Sequence, residues 1–447
     1  MSQRHPTRRP HVVIVGGGFG GLSAAKALRN VPVEVTLIDR TNHYLFQPLL
    51  YQVATGVLSP ADIAMPIRFL VRHQRNTTVL MDEVERIDLA NHLVITGDTQ
   101  LPYDFLIVAT GSRHAYFGHD EWEPIAPGLK TLADALTIRR RFLRAFEQAE
   151  KSDDPAEQDA LLTFVIVGGG PTGVELAGVM PTIASKGMQP DFRRVDASRV
   201  RVLLLEGGPR LLPTFPERLS ARALRDLEGL GVICRTNAKV TRITPDAVYV
   251  GDERIATKTV FWAAGNVTSP LIRTMGMALD RAGRAVVETD LSIPHAPNVF
   301  VIGDAALAVD GRRSTPGHPQ YAPGVAPAAI QMGAHAARMI ARTLSGQPRQ
   351  PFRYTNKGLL AVIGRGRAVA DFERFAVTGV VAWFLWLTIH IAYLAGFRNR
   401  VSVLLEWAYA YITFRPGARL ITEEAHSVAD LPRSPGLPRT SEGPRRV

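Results

Sequence analysis

The strongest constraint on this chain is a pattern that it contains twice: a short apolar run, glycines spaced G-x-G-x-x-G, then a helix-forming stretch. The first copy is HVVIVGGGFGG, His11 to Gly21, with Gly16, Gly18 and Gly21 in register; the second, from Leu161, is LLTFVIVGGGPTGVELAGVM, with Gly168, Gly170 and Gly173. Each predicts a buried strand, a tight turn and a helix whose N-terminal amides can hold a pyrophosphate. The first glycine permits the turn, the second lets backbone approach phosphate, and the third lets helix and strand pack closely. Beyond each copy another apolar strand ends in an acid, Asp39 in VEVTLIDR and Glu206 in VRVLLLEGG. A carboxylate there accepts ribose hydroxyls, and Glu206 favours a free 2′-hydroxyl over a 2′-phosphate, so the second nucleotide is expected to be NAD(H) rather than NADP(H). The longer spacing in the second copy, through MPTIASKGMQPDFRRVDASR, predicts a helical extension. The expected fold class is α/β, with two Rossmann-like dinucleotide-binding domains.

A chain of 447 residues is too long for one ordinary core and predicts two or three domains. The excess of 52 Lys and Arg over 41 Asp and Glu suits nucleic acid, an anionic membrane or plain solubility, and the scatter of Arg argues against nucleic acid. The single Cys234 excludes an internal disulfide, a CxxC redox pair and a cysteine-based metal cluster, and no metal site is expected. The basic start, MSQRHPTRRP, reads as a solvated arm ahead of the first strand rather than a signal peptide, and implies a cytoplasmic location. TNHYLFQPLLYQVATGVLSPADIAMPIRFLV, punctuated by Pro48, Gly56, Pro60 and Pro66, predicts an ordered loop with short helices, which either packs against a neighbour or lines a cofactor ring. FLIVAT runs into Gly111, and its Ala109-Thr110-Gly111 end brings bare backbone to the glycine turn; TVFWAAGN repeats that logic. TLADALTIRRRFLRAFEQAEKS predicts a helix with a solvated Arg-rich face. NVFVIGDAA ends a strand at Gly303-Asp304, where Asp304 either caps a helix or meets the ribityl or phosphate end of a cofactor. A helix beginning near Ala326 carries Gln331 and His335.

Together NHYLFQPLLYQVATG, YDFLIVATGS, GGGPTGVELAG, NVFVIGDAA and the apolar C-terminal stretch resemble the type II, or alternative, NADH:quinone oxidoreductases, over roughly Val12 to Leu420. The resemblance implies a non-proton-pumping respiratory flavoenzyme in which NADH reduces non-covalently bound FAD and the reduced flavin passes two electrons to a membrane quinone, menaquinone or ubiquinone. It implies FAD contacts at Gly16, Gly18, Phe19, Gly20, Gly21, Asp39, Arg40, Gln47, Pro48, Val84, Ala109, Thr110, Gly111, Asp304, Val325 and Ala326. It implies NAD(H) contacts at Gly168, Gly170, Pro171, Thr172, Gly173, Glu206, Ala264 and Gly265. Glu175 corresponds to the acid that the family places beside nicotinamide and flavin, although a helix dipole alone also favours an acid there. The family's Ala-Gln-x-x-x-Gln element runs here Ala326-Pro327-Ala328-Ala329-Ile330-Gln331, so Gln331 is the remaining glutamine for a quinone carbonyl. A homodimer, a lipid-surface partner, no nucleic acid, and a peripheral place on the cytoplasmic face of the cell membrane are also implied.

From Ala376, AVTGVVAWFLWLTIHIAYLAGF offers 22 mostly apolar residues, as a helix roughly 33 Å long. A spanning helix, an in-plane anchor and a buried dimer interface all suit it, and the resemblance favours the anchor, with VSVLLEWAYAYITFRPG supplying interfacial aromatics. The chain therefore divides into a basic arm (1–10), FAD-binding segments (11–130 and 276–350), a helix and linker (131–160), an inserted NAD(H)-binding domain (161–275), a membrane-anchoring region (351–425) and a disordered tail (426–447). A reductase feeding a soluble acceptor such as a ferredoxin, and an NADH-sensing flavoprotein of the apoptosis-inducing-factor kind, use the same two nucleotide sites and remain open from the sequence.

Overall fold

The computed structural model describes residues 8–315, 317–413 and 417–421; the tail expected to be disordered and most of the basic arm lie outside them. The first glycine pattern folds as β1 (His11–Val15) entering helix α1 (Phe19–Ala27), with β2 (Glu34–Asp39), β3 (Thr77–Met81) and β4 (Phe105–Val108) following in one parallel sheet. Val12, Val13 and Ile14 are fully buried, as an apolar strand covered on both faces requires. The proline-punctuated stretch between β2 and β3 is ordered, with a one-turn helix at Gln47–Leu49, helix α2 (Leu50–Ala54) and a further short turn at Pro60–Ile63. It also forms a small strand pair, His43–Leu45 with Ala64–Pro66.

After β4 the chain leaves the sheet through β5 (Ser112–His114) and enters helix α3 (Leu132–Lys151). The Arg-rich face of α3 departs from expectation. Arg139 is buried, and Arg141 donates to the carbonyls of Pro124 and Ile125, so part of that face packs against the preceding loop instead of standing in water. The second glycine pattern gives β6 (Thr163–Val167) and helix α4 (Pro171–Thr182), joined in a parallel sheet by β7 (Arg201–Leu205), β8 (Val232–Arg235) and β9 (Thr259–Trp262), in the order β8-β7-β6-β9. The long insert after α4 is helical as expected, with a π-turn at Ile183–Met188 and two short 3-10 turns. β10 (Asn266–Thr268) then pairs antiparallel with β5, so the chain enters and leaves the second sheet through one two-stranded link.

Strand β11 (Ala296–Val301) returns to the first sheet beside β4, giving the order β11-β4-β1-β2-β3 within it. The second sheet thus lies in the chain between two parts of the first. Helix α5 (Ala326–Leu344) packs on α1 through small residues: a Cβ at Gly333 would sit 2.1 Å from the Gly20 carbonyl oxygen. An antiparallel sheet of β12 (Leu359–Gly364), β13 (Arg367–Asp371) and β14 (Ala376–Thr378) follows, held against α4 at Gly178, where a Cβ would come within 1.7 Å of the Ile363 carbonyl oxygen.

Two helices close the described chain, α6 (Gly379–Tyr393) and α7 (Phe397–Thr413). The 22-residue helix expected from Ala376 is shorter in the structure, because Ala376–Thr378 are spent as strand β14 on β13 and the backbone turns extended at Leu394. Its 15 residues rise about 22 Å, short of a hydrocarbon core of about 30 Å. Among the described residues no helix is long and apolar enough to cross a membrane. Thr388 and His390 do not break α6, since each bonds the carbonyl one turn back, Thr388 Oγ1 to Phe384 and His390 Nδ1 to Trp386.

Candidate active site

The two glycine turns repeat one geometry. Gly16 has φ +102° and Gly168 φ +113°, and a Cβ on either would collide with the backbone at Ala109 or Ala263, the ends of β4 and β9. Those are the strand ends that the sequence placed beside the turns. A Cβ at Gly21 would lie 1.8 Å from the Gly16 carbonyl oxygen, and at Gly173 it would lie 1.9 Å from that of Gly168, which is the close helix–strand packing that the third glycine permits. Around Gly18 and Gly170, in contrast, the space is open for 4 Å, and both residues begin their helices without a side-chain cap. Each turn therefore presents the amides of an uncapped helix start to open space, a cradle that suits a pyrophosphate.

The acids repeat as well. Asp39 Oδ2 accepts the Gly17 amide at 2.6 Å while Oδ1 accepts Thr41 N and Oγ1; Glu206 Oε2 accepts the Gly169 amide at 2.6 Å and Oε1 that of Gly208. Each carboxylate is thus tied to its own glycine turn and stands at the rim where a ribose would lie. Neighbouring Arg40 is exposed, and Val84 opens a strand, Val84–Asp88, of a separate small antiparallel sheet.

The first cradle continues along Ala109, Thr110 and Gly111 to Asp304, in the turn after β11, and to Val325 and Ala326 at the start of α5. Thr110 Oγ1 is buried without a hydrogen-bond partner, a group that a ligand in the cradle would satisfy. The open space at Gly18, the uncapped α1 and this orphaned hydroxyl together fit FAD. Gln47 and Pro48 sit in the one-turn helix that follows Phe46, whose ring lies 6.2 Å from Phe19 and 6.1 Å from His390 of α6, so the flavin-side loop touches the C-terminal helices. The second cradle carries Pro171 and Thr172 at the start of α4, with Ala264 and Gly265 after β9.

Glu175, one turn into α4, faces a cavity of about 110 Å³. The wall combines Tyr51 and Gln52 of α2, Gly178, Val179 and Thr182 of α4, Val362 and Ile363 of β12, and Trp407 and Ala410 of α7. Burial lifts the Glu175 carboxyl to about 8, partly opposed by the Val362 backbone. Trp407 Nε1 donates to Gln52 Oε1 at 2.7 Å and Gln52 Nε2 donates to the Tyr51 hydroxyl at 2.8 Å, which pins α7 to the loop behind the cavity. Asn399 and Ser402 add bonds to Ala61 and Asp62 on the same loop.

Gln331 stands apart from that cavity. Its Nε2 donates to the Thr355 carbonyl and its Oε1 accepts the Thr355 amide, both at 2.9 Å, so the side chain ties α5 to the segment before β12 and is absent from the cavity wall. Pro327, at the head of α5, stands where the family's first glutamine would be. Cys234 is in β8; burial and nearby Glu228 push its thiol up to about 12, so it stays a neutral packing group.

Two family models together match most of the chain. A family model described as pyridine nucleotide-disulphide oxidoreductase matches residues 10–333, and one described as NDH2 C-terminal domain matches residues 356–416. The type II NADH:quinone oxidoreductase Ndh of Mycobacterium tuberculosis is 44% identical over 435 residues, covering 94% of this chain and 92% of that protein. The chain belongs to the type II NADH:quinone oxidoreductase family. A second oxidoreductase of this type from that organism, NdhA, is 43% identical over 434 residues, with 93% and 90% covered. The fold of NDH2 from Plasmodium falciparum, solved in complex with NADH, superposes with a TM-score of 0.83 at 21% identity, over 93% of this chain and 100% of that one. In this family member the cavity beside Glu175 lies between α2, α4, β12 and α7.

Proposed function

We propose that this chain oxidises NADH in its second cradle through FAD held in its first, and delivers the electrons to a quinone that reaches the Glu175 cavity from a membrane surface. Family membership supports the reaction, and one observation carries the acceptor. A single cavity wall contains both Glu175 and residues of α7, the helix whose other face is exposed and apolar.

FAD, held by the Gly16–Gly21 turn with Thr110 and Asp304, would supply the hydride and two-electron chemistry when bound. The chain's own groups do the rest. Glu206 accepts the ribose hydroxyls of NADH and repels a 2′-phosphate. Glu175, at about 8, is mostly protonated at neutral pH and holds a proton where a quinone oxygen in the cavity would receive it. Val57, Val179, Ile183 and Val362 keep the wall apolar around a ring. With one cysteine, whose thiol stays neutral, the chain has no dithiol to relay electrons.

Membrane attachment through α6 and α7 is supported by an unusual surface. Phe384, Phe397, Leu405 and Ile412 are exposed by 58, 82, 66 and 78%, while Trp386 and Trp407 on the same helices are buried. Such a patch suits the lipid interface, with the protein peripheral on the cytoplasmic face. Assembly as a homodimer belongs to the same reading and is supported by the resemblance. Replacing Ala410 with Trp tests the acceptor route: the larger ring should fill the cavity and suppress quinone reduction, leaving NADH:ferricyanide turnover. Unchanged quinone reduction in that variant would remove the cavity from the account.

A further inference from the structure

From Asp304 of the first cradle a polar chain runs outward to Ser112 and Lys130, two residues with no part in the chemistry above. Lys130 directly precedes Thr131, the N-cap of α3, whose capping box with Asp134 fixes the helix start. Its Nζ lies 2.8 Å from Ser112 Oγ at the head of β5, and that hydroxyl lies 2.7 Å from Asp304 Oδ2 in the turn after β11. The protons of this chain of contacts have one arrangement. An ammonium only donates and a carboxylate only accepts, so Ser112 receives a hydrogen bond from Lys130 and gives its single proton to Asp304. Asp304 Oδ1 remains on the side of Gly324, where a Cβ would meet it at 3.4 Å, next to the start of α5. The relay therefore holds one carboxylate oxygen and leaves the other on the Gly324 side, beside the head of α5.

Lys130 is drawn inward rather than reaching for water. Burial lowers its pKa, against the pull of the Asp304 and Asp134 carboxylates. A half-buried ammonium is stable there only while those partners face it. The three residues come from three separate segments that converge on the cradle, and none is needed to form the glycine turn itself.

We propose that Lys130 is a positioning residue of the flavin site, which acts through the Ser112 hydroxyl to hold the Asp304 carboxylate for a hydroxyl on the ribityl chain of FAD. This rests on the first cradle being the FAD site. The loss expected on breaking the relay is that of one charge-assisted hydrogen bond, about tenfold or more in affinity.

The test is titration of the flavin-stripped full-length chain with FAD, with the visible circular dichroism of the bound flavin recorded alongside. Lys130→Met and Ser112→Ala should each weaken FAD binding by about tenfold or more and alter the dichroism in the same way. Ser112→Thr, which keeps the hydroxyl, should match wild type in both, and the double variant Lys130→Met/Ser112→Ala should be no weaker than Lys130→Met alone. If Lys130→Met does not fold, the pair Ser112→Ala and Ser112→Thr decides. Wild-type FAD affinity and dichroism in Ser112→Ala, or losses that add in the double variant, would overturn the proposal. Failure of the wild-type chain itself to take up FAD would instead overturn the flavin reading beneath it.

Discussion

Replacing Glu175 with Gln keeps the shape of the side chain and removes its ionisation. Lifting the carboxyl from an ordinary 4.5 to about 8 corresponds, at 1.36 kcal/mol per pH unit, to about 5 kcal/mol of carboxylate destabilisation at this site. The sign follows from where the proton sits. Between these two values the folded chain keeps a proton that the unfolded chain has released, so the contribution to stability is present below pH 4.5 and is lost as the pH rises through 8. Gln has no proton to lose, and every other titrating group is common to both proteins. On going from pH 5 to pH 9, the flavin-stripped wild type should therefore lose about 4 kcal/mol more stability than Glu175→Gln, read from urea unfolding at several pH values. In the loaded enzyme, wild-type quinone reduction should fall as the pH passes 8, whereas Glu175→Gln should be slower at neutral pH and flat in that range. Parallel stability curves for the two proteins would refute the argument, because Glu175 would then ionise as it does in water.

The two cradles are separable. Gly173→Ala drives a methyl into the Gly168 carbonyl, so NADH should no longer bleach the flavin while FAD stays bound, as absorbance spectra will show. Glu206→Gln should raise kcat/KM for NADPH by about tenfold or more, since relieving one repulsion of about 1.4 kcal/mol is enough for that change; equally poor NADPH turnover would place the ribose elsewhere. Replacing Phe384, Phe397 and Leu405 together with Ser should release the protein in vesicle flotation and leave flavin reduction by NADH unchanged.

What could be read from the sequence was local or duplicated. The strand, turn and helix of each glycine pattern, and the acids at Asp39 and Glu206, follow from short-range backbone demands, and the structure places them as the spacing implied. The length of α6 was not legible, because Ala376–Thr378 are apolar whether they extend a helix or complete a sheet, and only the presence of β13 decides. Arg139 and Arg141 read as a solvated face because the carbonyls of Pro124 and Ile125 that accept from Arg141 lie in a loop with no periodic signal. Gln331 fitted a familiar element, yet its amide is matched donor to acceptor with Thr355, a partner 24 residues away. The cavity was missed altogether, since its wall draws on α2, α4, β12 and α7, and no stretch of the chain holds more than a few of its residues. Lys130 and Ser112 were also overlooked. Each is an ordinary surface residue type until the return of β11 brings Asp304 beside them.

The central claim, that electrons pass from NADH through bound FAD to a quinone, is tested most directly without oxygen. NADH is added to the flavin-loaded chain, loss of flavin absorbance is followed, and a short-chain quinone is then introduced. The account predicts rapid bleaching by NADH and rapid recovery with the quinone, the recovery alone being blocked by Ala410→Trp. Bleaching that the quinone does not reverse would contradict the account, leaving the two nucleotide cradles and assigning their electrons to another acceptor.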